Sequence, residues 1–134
     1  MSYDIEIRRD AHYSSWVDSA ALQAFIATLP DITIDNDIRL TYEVGNEYYM
    51  EIYLELLDEN GEWLEQEQQE RGIASRVQMC IPYGYFSRSG IDRFRYFDIA
   101  FKIAQQFDWQ VFDPQYDKIY TDVSDIQARR YYTQ

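Results

Sequence analysis

The side chains that most often carry catalysis are scarce in this sequence. His12 is the one histidine and Cys80 the one cysteine among 134 residues. A Ser-His-Asp arrangement would therefore need His12, which lies in a polar stretch near the N-terminus, and one chain cannot build a multi-histidine metal site. Cys80 has no basic neighbour in the sequence that would favour its thiolate. We therefore predict no enzymatic activity, no cofactor and no metal site.

Carboxylates are abundant, and two pairs have a spacing that suggests an acid and a base. Asp113 and Asp117 form one pair, and Glu51 and Glu55 form the other. On an extended strand Glu51 and Glu55 would lie roughly 13 Å apart between Cα atoms, which is too far for the closely paired carboxylates of a retaining glycosidase. Neither pair has a motif that would assign it a reaction.

A possible anion site lies in residues 83–90, which are rich in glycine and aromatic residues and precede a predicted helix over residues 91–107. Backbone amides at the start of a helix attract anions, and Ser87, Arg88 and Ser89 would add donors. A simple N-cap by Ser89 explains the same residues. No Walker or dinucleotide-binding spacing is present.

The most regular pattern in the chain covers residues 48–57 and predicts a strand. Its alternate positions are apolar, namely Tyr48, Met50, Ile52, Leu54 and Leu56. The other set of alternate positions starts at Glu47, just before this segment. It contains carboxylates and phenols in alternation, namely Glu47, Tyr49, Glu51, Tyr53 and Glu55. Because successive side chains of a strand point to opposite faces, the first set belongs to the core and the second faces solvent. The outer set indicates an acidic, tyrosine-rich recognition surface.

The preceding segment, residues 38–44, predicts the strand that pairs with this one, with Ile38 among its inward residues. Pairing Val44 with Tyr48 keeps the apolar side chains of both strands on one face and requires a three-residue loop at residues 45–47. A two-residue loop would mix core and solvent faces. The favoured register places Glu43 on the outer face with Glu51.

The order of the patterns predicts the fold class. Alternating segments occur at residues 3–7, 77–81 and 109–112, and helical spacing occurs at residues 20–29 and 91–107. Runs of adjacent strands between helices predict an α+β fold. We expect one domain over residues 1–134, with a mainly antiparallel sheet of four to six strands and two main helices packed on one face. The tail, residues 123–134, is expected to be frayed or to form a short helix.

The net charge of −12 belongs almost entirely to the first half of the chain. Residues 1–70 contain 17 acidic and 3 basic side chains, whereas residues 71–134 contain 7 acidic and 9 basic ones. Such a field repels nucleic acids and anionic lipids, and it steers basic proteins towards the chain. We therefore predict a basic protein partner, with no nucleic-acid and no membrane binding. Solubility alone would explain the same charge.

The sequence also favours a cytoplasmic location. A single cysteine permits no internal disulfide, and the N-terminus lacks the basic start and apolar run of a signal peptide. The apolar runs are too short to span a membrane.

Two segments resemble a group of small bacterial proteins. In residues 103–115 a helix with an Ile-Ala pair is followed by a tryptophan strand and an Asp-Pro-Gln turn, and the opening at residues 2–7 is also similar. Some proteins of this type look like immunity proteins of polymorphic toxin systems. The resemblance implies that the chain neutralises a cognate toxin, and it supplies no functional residue.

These features together predict an acidic cytoplasmic protein-binding domain, specifically an immunity-type inhibitor that blocks a basic toxin or nuclease. The predicted partner-binding residues are Glu43, Glu47, Tyr49, Glu51, Tyr53 and Glu55, with Glu62 and Glu65 extending the footprint. Two alternatives stay open. One is a small-ligand or enzymatic domain with a pocket between residues 83–90 and the Trp109 strand. The other is a homo-oligomer that uses the tyrosine face as its subunit interface. The chain is expected to be a monomer or a homodimer.

Overall fold

The computed structural model describes residues 1–64, 72–89, 94–122 and 124–126, without the side chains of residues 88 and 89. The elements in chain order are β1 (Ser2–Arg8), β2 (Val17–Asp18), α1 (Ser19–Ala27), β3 (Ile32–Asn36), β4 (Arg39–Val44), β5 (Tyr48–Glu55), β6 (Ile73–Ala74), β7 (Arg76–Pro82), α2 (Tyr83–Ser89), α3 (Phe94–Phe107), β8 (Gln110–Asp113) and β9 (Lys118–Tyr120). Seven strands form one antiparallel sheet in the order β3-β4-β5-β7-β1-β8-β9, and β2 pairs with β6.

The α+β class and the antiparallel sheet are confirmed, but the predicted number of four to six strands is too low. The sheet ends on two short strands, β3 with five residues and β9 with three. Segments of this length hold too few alternating positions for a periodicity argument. The sequence shows only a weak alternation at residues 31–37 and a short apolar pair at Ile119 and Tyr120, and pairing with a longer neighbour makes these segments strands.

The predicted register between β4 and β5 is confirmed. Val44 pairs with Tyr48, and the loop between them has three residues, as required to keep the apolar side chains on one face. Gly45 has a φ of 53°, in the left-handed region that favours glycine. Ile38 was wrongly predicted to point inward. It lies in the turn between β3 and β4, and its side chain is exposed.

One face of the main sheet is apolar and forms the core. Ile5, Met50 and Met79, from β1, β5 and β7, are completely buried on it. Helices α1 and α3 add side chains to the same core, including Leu22, Ile26, Tyr96, Phe97 and Ile103. This agrees with the prediction that the two main helices pack on one face of the sheet.

Helix α2 was not predicted, because the sequence at residues 83–90 reads as a loop. It is held by aromatic packing at the end of β7. Phe86 stacks on Tyr3 of β1 with ring centroids 4.2 Å apart, and it also packs against Tyr96 of α3. These contacts come from distant parts of the chain, so tertiary packing overrides the local preference for a turn.

Asp113 at the end of β8 is a completely buried carboxylate that ties three segments together. It accepts hydrogen bonds from the hydroxyls of Tyr3 and Tyr120, and from the backbone and side-chain amides of Gln115 at 3.0 and 2.7 Å. Asp117, its predicted partner as a carboxylate pair, is exposed. Asp113 therefore has a structural role.

The Gln115 side chain extends the pairing between β1 and β8. Its Oε1 accepts from the backbone N–H of Asp4 at 2.8 Å, and its Nε2 donates to the Asp4 carbonyl at 2.7 Å. The regular ladder stops at the pair of Glu6 with Phe112, and Pro114 has no N–H to continue it. The Gln115 amide thus replaces a backbone peptide at this position.

Candidate protein-binding face

The second face of the sheet is polar and carries the candidate site. Tyr49, Glu51 and Tyr53 of β5 lie on it, beside Gln78 and Cys80 of β7, and all five are partly exposed. Helices α1 and α3 bury their apolar side chains against the opposite face, and α2 contacts the polar face through Tyr85 at its Tyr49 end. Within the described part of the chain, this central region therefore has no covering layer of helix or strand.

Four side chains meet at the centre of this face, and we call Arg39, Tyr49, Glu51 and Tyr53 the Glu51 cluster. The Tyr53 hydroxyl donates to Glu51 Oε2 at 2.7 Å, and the Tyr49 hydroxyl donates to Oε1 at 3.2 Å. Arg39 Nη2 also donates to Oε1 at 3.2 Å. Asp35 then lies 3.3 Å from Arg39 Nε. The Glu51 carboxylate therefore holds both phenols in fixed positions.

The electrostatics of the cluster follow from this arrangement. The hydrogen bond to Glu51, together with burial and the negative charge of Glu51, raises the pKa of Tyr53 to about 12. Burial and Glu51 also raise the pKa of Tyr49. Both phenols are therefore neutral donors at physiological pH, and each combines a partly exposed ring with a polar end.

Tyr49 lies at the end of the face nearest α2. Its ring is 5.4 Å from that of Tyr85, centroid to centroid. Its backbone N–H donates to the hydroxyl of Tyr96 at 3.3 Å. Tyr49 is thus supported from one side while part of its surface remains exposed.

Glu55 was wrongly predicted to be an accessible carboxylate. It belongs to a group that we call the buried ion-pair cluster, formed by Glu6, Arg8, Glu55 and Arg76. Arg76 binds Glu55 Oε1 through Nη2 at 2.6 Å and Nε at 2.7 Å, and Arg76 also pairs with Glu6. Arg8 completes the group through Glu6 at 3.2 Å. Burial raises the pKa of Glu55 despite the opposing effect of Arg76.

The loop after β1 covers this cluster. Tyr13 is buried, its hydroxyl accepts from Arg8 Nη1 at 3.2 Å, and the guanidiniums of Arg8 and Arg76 lie 5.4 and 5.9 Å from its ring centroid. The arrangement is not visible in the sequence, because Arg76 is 21 residues from Glu55 and 70 from Glu6. Only the order of β5, β7 and β1 in the sheet brings them together.

The remaining predicted carboxylates lie at the periphery. Glu43 and Glu47 are exposed at the end of the hairpin between β4 and β5. Glu62 is exposed in the turn after β5, at the other end of that strand. An eight-residue strand is roughly 25 Å long, so Glu47 and Glu62 lie at opposite limits of any footprint on this face. Glu65 lies outside the described residues.

The predicted anion site is not supported by the positions of its residues. Residues 87–89 form the last turn of α2, rather than the start of a helix. The carboxyl end of a helix carries partial negative charge, which disfavours an anion. Ser87 is exposed, and the side chains of Arg88 and Ser89 lie outside the described part of the chain.

A groove of about 430 Å³ does lie beside Trp109, but on a different side from the predicted pocket. It is bounded by α3, β8 and β9 and is lined in part by Phe101, Gln105, Ile119 and Thr121. Residues 83–87, the part of the predicted segment whose side chains the structure describes, do not contribute to it. Asp108, its acidic residue, is exposed and pairs with Arg9 at 3.0 Å. This lining suits a binding surface better than a reactive centre.

Other chemistry on the polar face is limited. Burial and the nearby Asp4 raise the pKa of the Cys80 thiol to about 12, so this thiol is protonated at neutral pH and is a weak nucleophile. Among the described residues, His, Cys, Asp and Glu side chains form no group of three that would hold a metal ion. None of the described helices combines the length and apolar character needed to cross a membrane.

The chain matches no protein-family model, and comparisons with curated proteins and with solved structures likewise find no match. The resemblance to immunity proteins therefore stays a prediction.

Proposed function

We propose that this protein is an acidic cytoplasmic protein-binding domain, of the immunity type, that blocks a basic toxin or nuclease by covering its surface. The observation that carries the proposal is the Glu51 cluster, because it displays two fixed, partly exposed phenols on an open sheet face. Tyrosines held in this way lose little conformational entropy on binding and serve as anchors in protein interfaces.

Charge favours a basic partner. The chain carries a net charge of −12, and Arg8, Arg39 and Arg76 on the polar face are each paired with a carboxylate. The exposed Glu43 and Glu47 add negative charge at the rim. A partner rich in lysine and arginine would associate rapidly with such a surface and would find phenols at its centre.

The buried ion-pair cluster changes the expected footprint. Glu55 is already bound to Arg76, so it contributes no free charge to a partner. We therefore propose a footprint centred on Tyr49, Glu51 and Tyr53 with a rim at Glu43 and Glu47. Glu62 lies at its far limit.

The immunity proposal is tested by co-expression. The product of the reading frame immediately upstream is expressed in a heterologous host with and without this chain. We expect growth arrest that the wild-type chain relieves and that a Tyr49→Ala, Tyr53→Ala double variant relieves poorly. An Ile119→Ala variant, altered on the distant strand β9, should protect normally. A harmless upstream product, or full protection by the double variant, would count against this function.

A further inference from the structure

Strand β3 is an edge of the main sheet, and its outer side has no ladder partner among the described residues. The carbonyl of Asp31 accepts from the amide of Glu43 in β4 at 3.1 Å. Hydrogen-bonded and non-hydrogen-bonded pairs alternate along an antiparallel ladder. Thr33 therefore also faces β4, while the N–H and C=O groups of Ile32 and Ile34 point away from the sheet.

The structure limits this free edge to a short run. The register between β3 and β4 shifts between Ile34 and Asn36, which marks a bulge at Asp35. Beyond it the Asn36 carbonyl is occupied, because Gln23 Nε2 of α1 donates to it at 2.8 Å. The run available to an additional strand therefore covers residues 31–34.

The two faces of this edge differ in chemistry. Ile32 and Ile34 lie on the apolar face of the sheet, and the Ile34 side chain is 51% exposed. Thr33 and Asp35 lie on the polar face, and the exposed Asp31 and Asp37 flank the strand. Arg39 on the polar face is already paired with Glu51 and Asp35, and Arg95 of α3 lies near Tyr42 on the apolar face. A strand added here would meet hydrocarbon on one face, a polar surface on the other, and exposed carboxylates at both ends of the edge.

From this pattern we propose that β3 captures an extended segment of a partner protein in which basic and apolar residues alternate. The segment adds as an eighth strand of the sheet. Its backbone pairs with Ile32 and Ile34, its apolar side chains cover Ile34, and its lysines or arginines lie on the opposite face, within reach of the exposed carboxylates of Asp31 and Asp37 that flank the strand. This mode of recognition draws affinity from main-chain hydrogen bonds and specificity from alternate side chains.

A second copy of the chain fits this edge poorly. In the antiparallel register that pairs Ile32 with Ile34 of another copy, Asp31 would lie opposite Asp35, and like charges in directly opposed positions are destabilising. The carboxylates thus disfavour this register of self-association while admitting a basic strand. The inference stands independently of the Glu51 cluster, since an edge can bind a peptide whether or not the sheet face binds anything.

The test uses a short blocked peptide in which lysine alternates with valine, and binding is measured by calorimetry. One control peptide has the same composition with all lysines before all valines. A second is N-methylated at the amides of alternate residues, which removes donors needed for strand pairing. We expect the alternating peptide to bind. The N-methylated control should bind at least about tenfold more weakly, as the loss of one or two hydrogen bonds would give. The reordered control should also bind more weakly, because its side chains no longer match the two faces of the edge.

Protein variants locate the binding. Ile34→Pro removes an outward-facing N–H and leaves the ladder with β4 intact, since proline is tolerated on sheet edges. We expect this variant to lose peptide binding, while Ile34→Val and Tyr53→Ala retain it. Near-ultraviolet circular dichroism checks that the variants are folded, and the N-methylated peptide tests the same hydrogen bonds in the unaltered protein.

Three results would overturn the inference. The first is no binding of the alternating peptide, and the second is equal binding of all three peptides, which would indicate charge attraction alone. The third is a concentration-dependent dimer in sedimentation that Ile34→Pro abolishes, since a second copy would then occupy the edge. Loss of binding in Tyr53→Ala, with Ile34→Pro unaffected, would place the peptide on the sheet face and would also exclude the edge.

Discussion

Glu51 controls the chemistry of the candidate site because two phenols and one guanidinium converge on its carboxylate. Replacing it with glutamine removes the negative charge that disfavours the Tyr53 phenolate. In Glu51→Gln we expect the pKa of Tyr53 to fall from about 12 towards the ordinary tyrosine value. The measurement is a pH titration followed by NMR of the Tyr53 ring carbon.

The matched control is Glu43→Gln, which removes a carboxylate from the same face at a position opposite Tyr49. We expect this change to leave the Tyr53 titration unaltered. An unchanged Tyr53 pKa in Glu51→Gln would mean that the carboxylate does not bind the Tyr53 phenol. The claim that Glu51 fixes the positions of Tyr49 and Tyr53 would then be wrong.

The hydrogen bonds of Asp113 contribute to the free energy of unfolding. Its carboxylate is completely buried and accepts four hydrogen bonds. Asp113→Asn replaces an acceptor with a donor facing other donors, and we expect a loss of about 2–4 kcal/mol in the free energy of unfolding. Urea denaturation measures it. Tyr3→Phe removes one of these bonds and should cost less, so an equal loss in both variants would contradict the arrangement.

At the scale of the elements, Arg76 joins three neighbouring strands. It lies on β7 and binds Glu55 of β5 and Glu6 of β1. Arg76→Met would remove the positive charge that pairs with the buried carboxylates of Glu55 and Glu6. Breaking such a buried ion pair costs about 3–5 kcal/mol. We expect a loss of this size by urea denaturation.

Arg39→Met serves as the comparison, because Arg39 also pairs with carboxylates on the same face but is far more accessible to water. Solvent and salt screen such a pair, and we expect little change in unfolding free energy. A larger loss of unfolding free energy in Arg39→Met than in Arg76→Met would contradict this account, because the Glu51 cluster would then stabilise the fold more than the buried ion-pair cluster does.

Some of these elements are predictable from the sequence, and others are not. The hairpin of β4 and β5 is predictable because a side-chain period of two and one buried face leave a single acceptable register. The orientation of Tyr49, Glu51 and Tyr53 follows from it. By contrast, the cover over Glu55 depends on Arg76 and Tyr13, and their proximity requires the full strand order. Helix α2 depends on contacts of Phe86 with Tyr3 and Tyr96, which are equally invisible to local pattern.

At the scale of the whole molecule, the charge of −12 acts on association over a distance. We expect the association rate with a basic partner to fall as salt rises, because screening shortens the range of the attraction. Stopped-flow mixing over a salt series measures this, and a Glu43→Gln, Glu47→Gln double variant should show a weaker salt dependence. Association that is independent of salt would contradict electrostatic steering by this chain.

The most direct test of the proposed binding face is the affinity of the partner recovered with this protein for a Tyr53→Ala variant, measured beside wild type and Ile119→Ala. An anchor at the centre of an interface typically contributes at least about 2 kcal/mol, so we expect a loss of about thirtyfold or more in Tyr53→Ala. Ile119→Ala should bind as wild type does. Unchanged affinity in Tyr53→Ala, in a variant that remains folded, would show that the partner does not bind the face around Glu51.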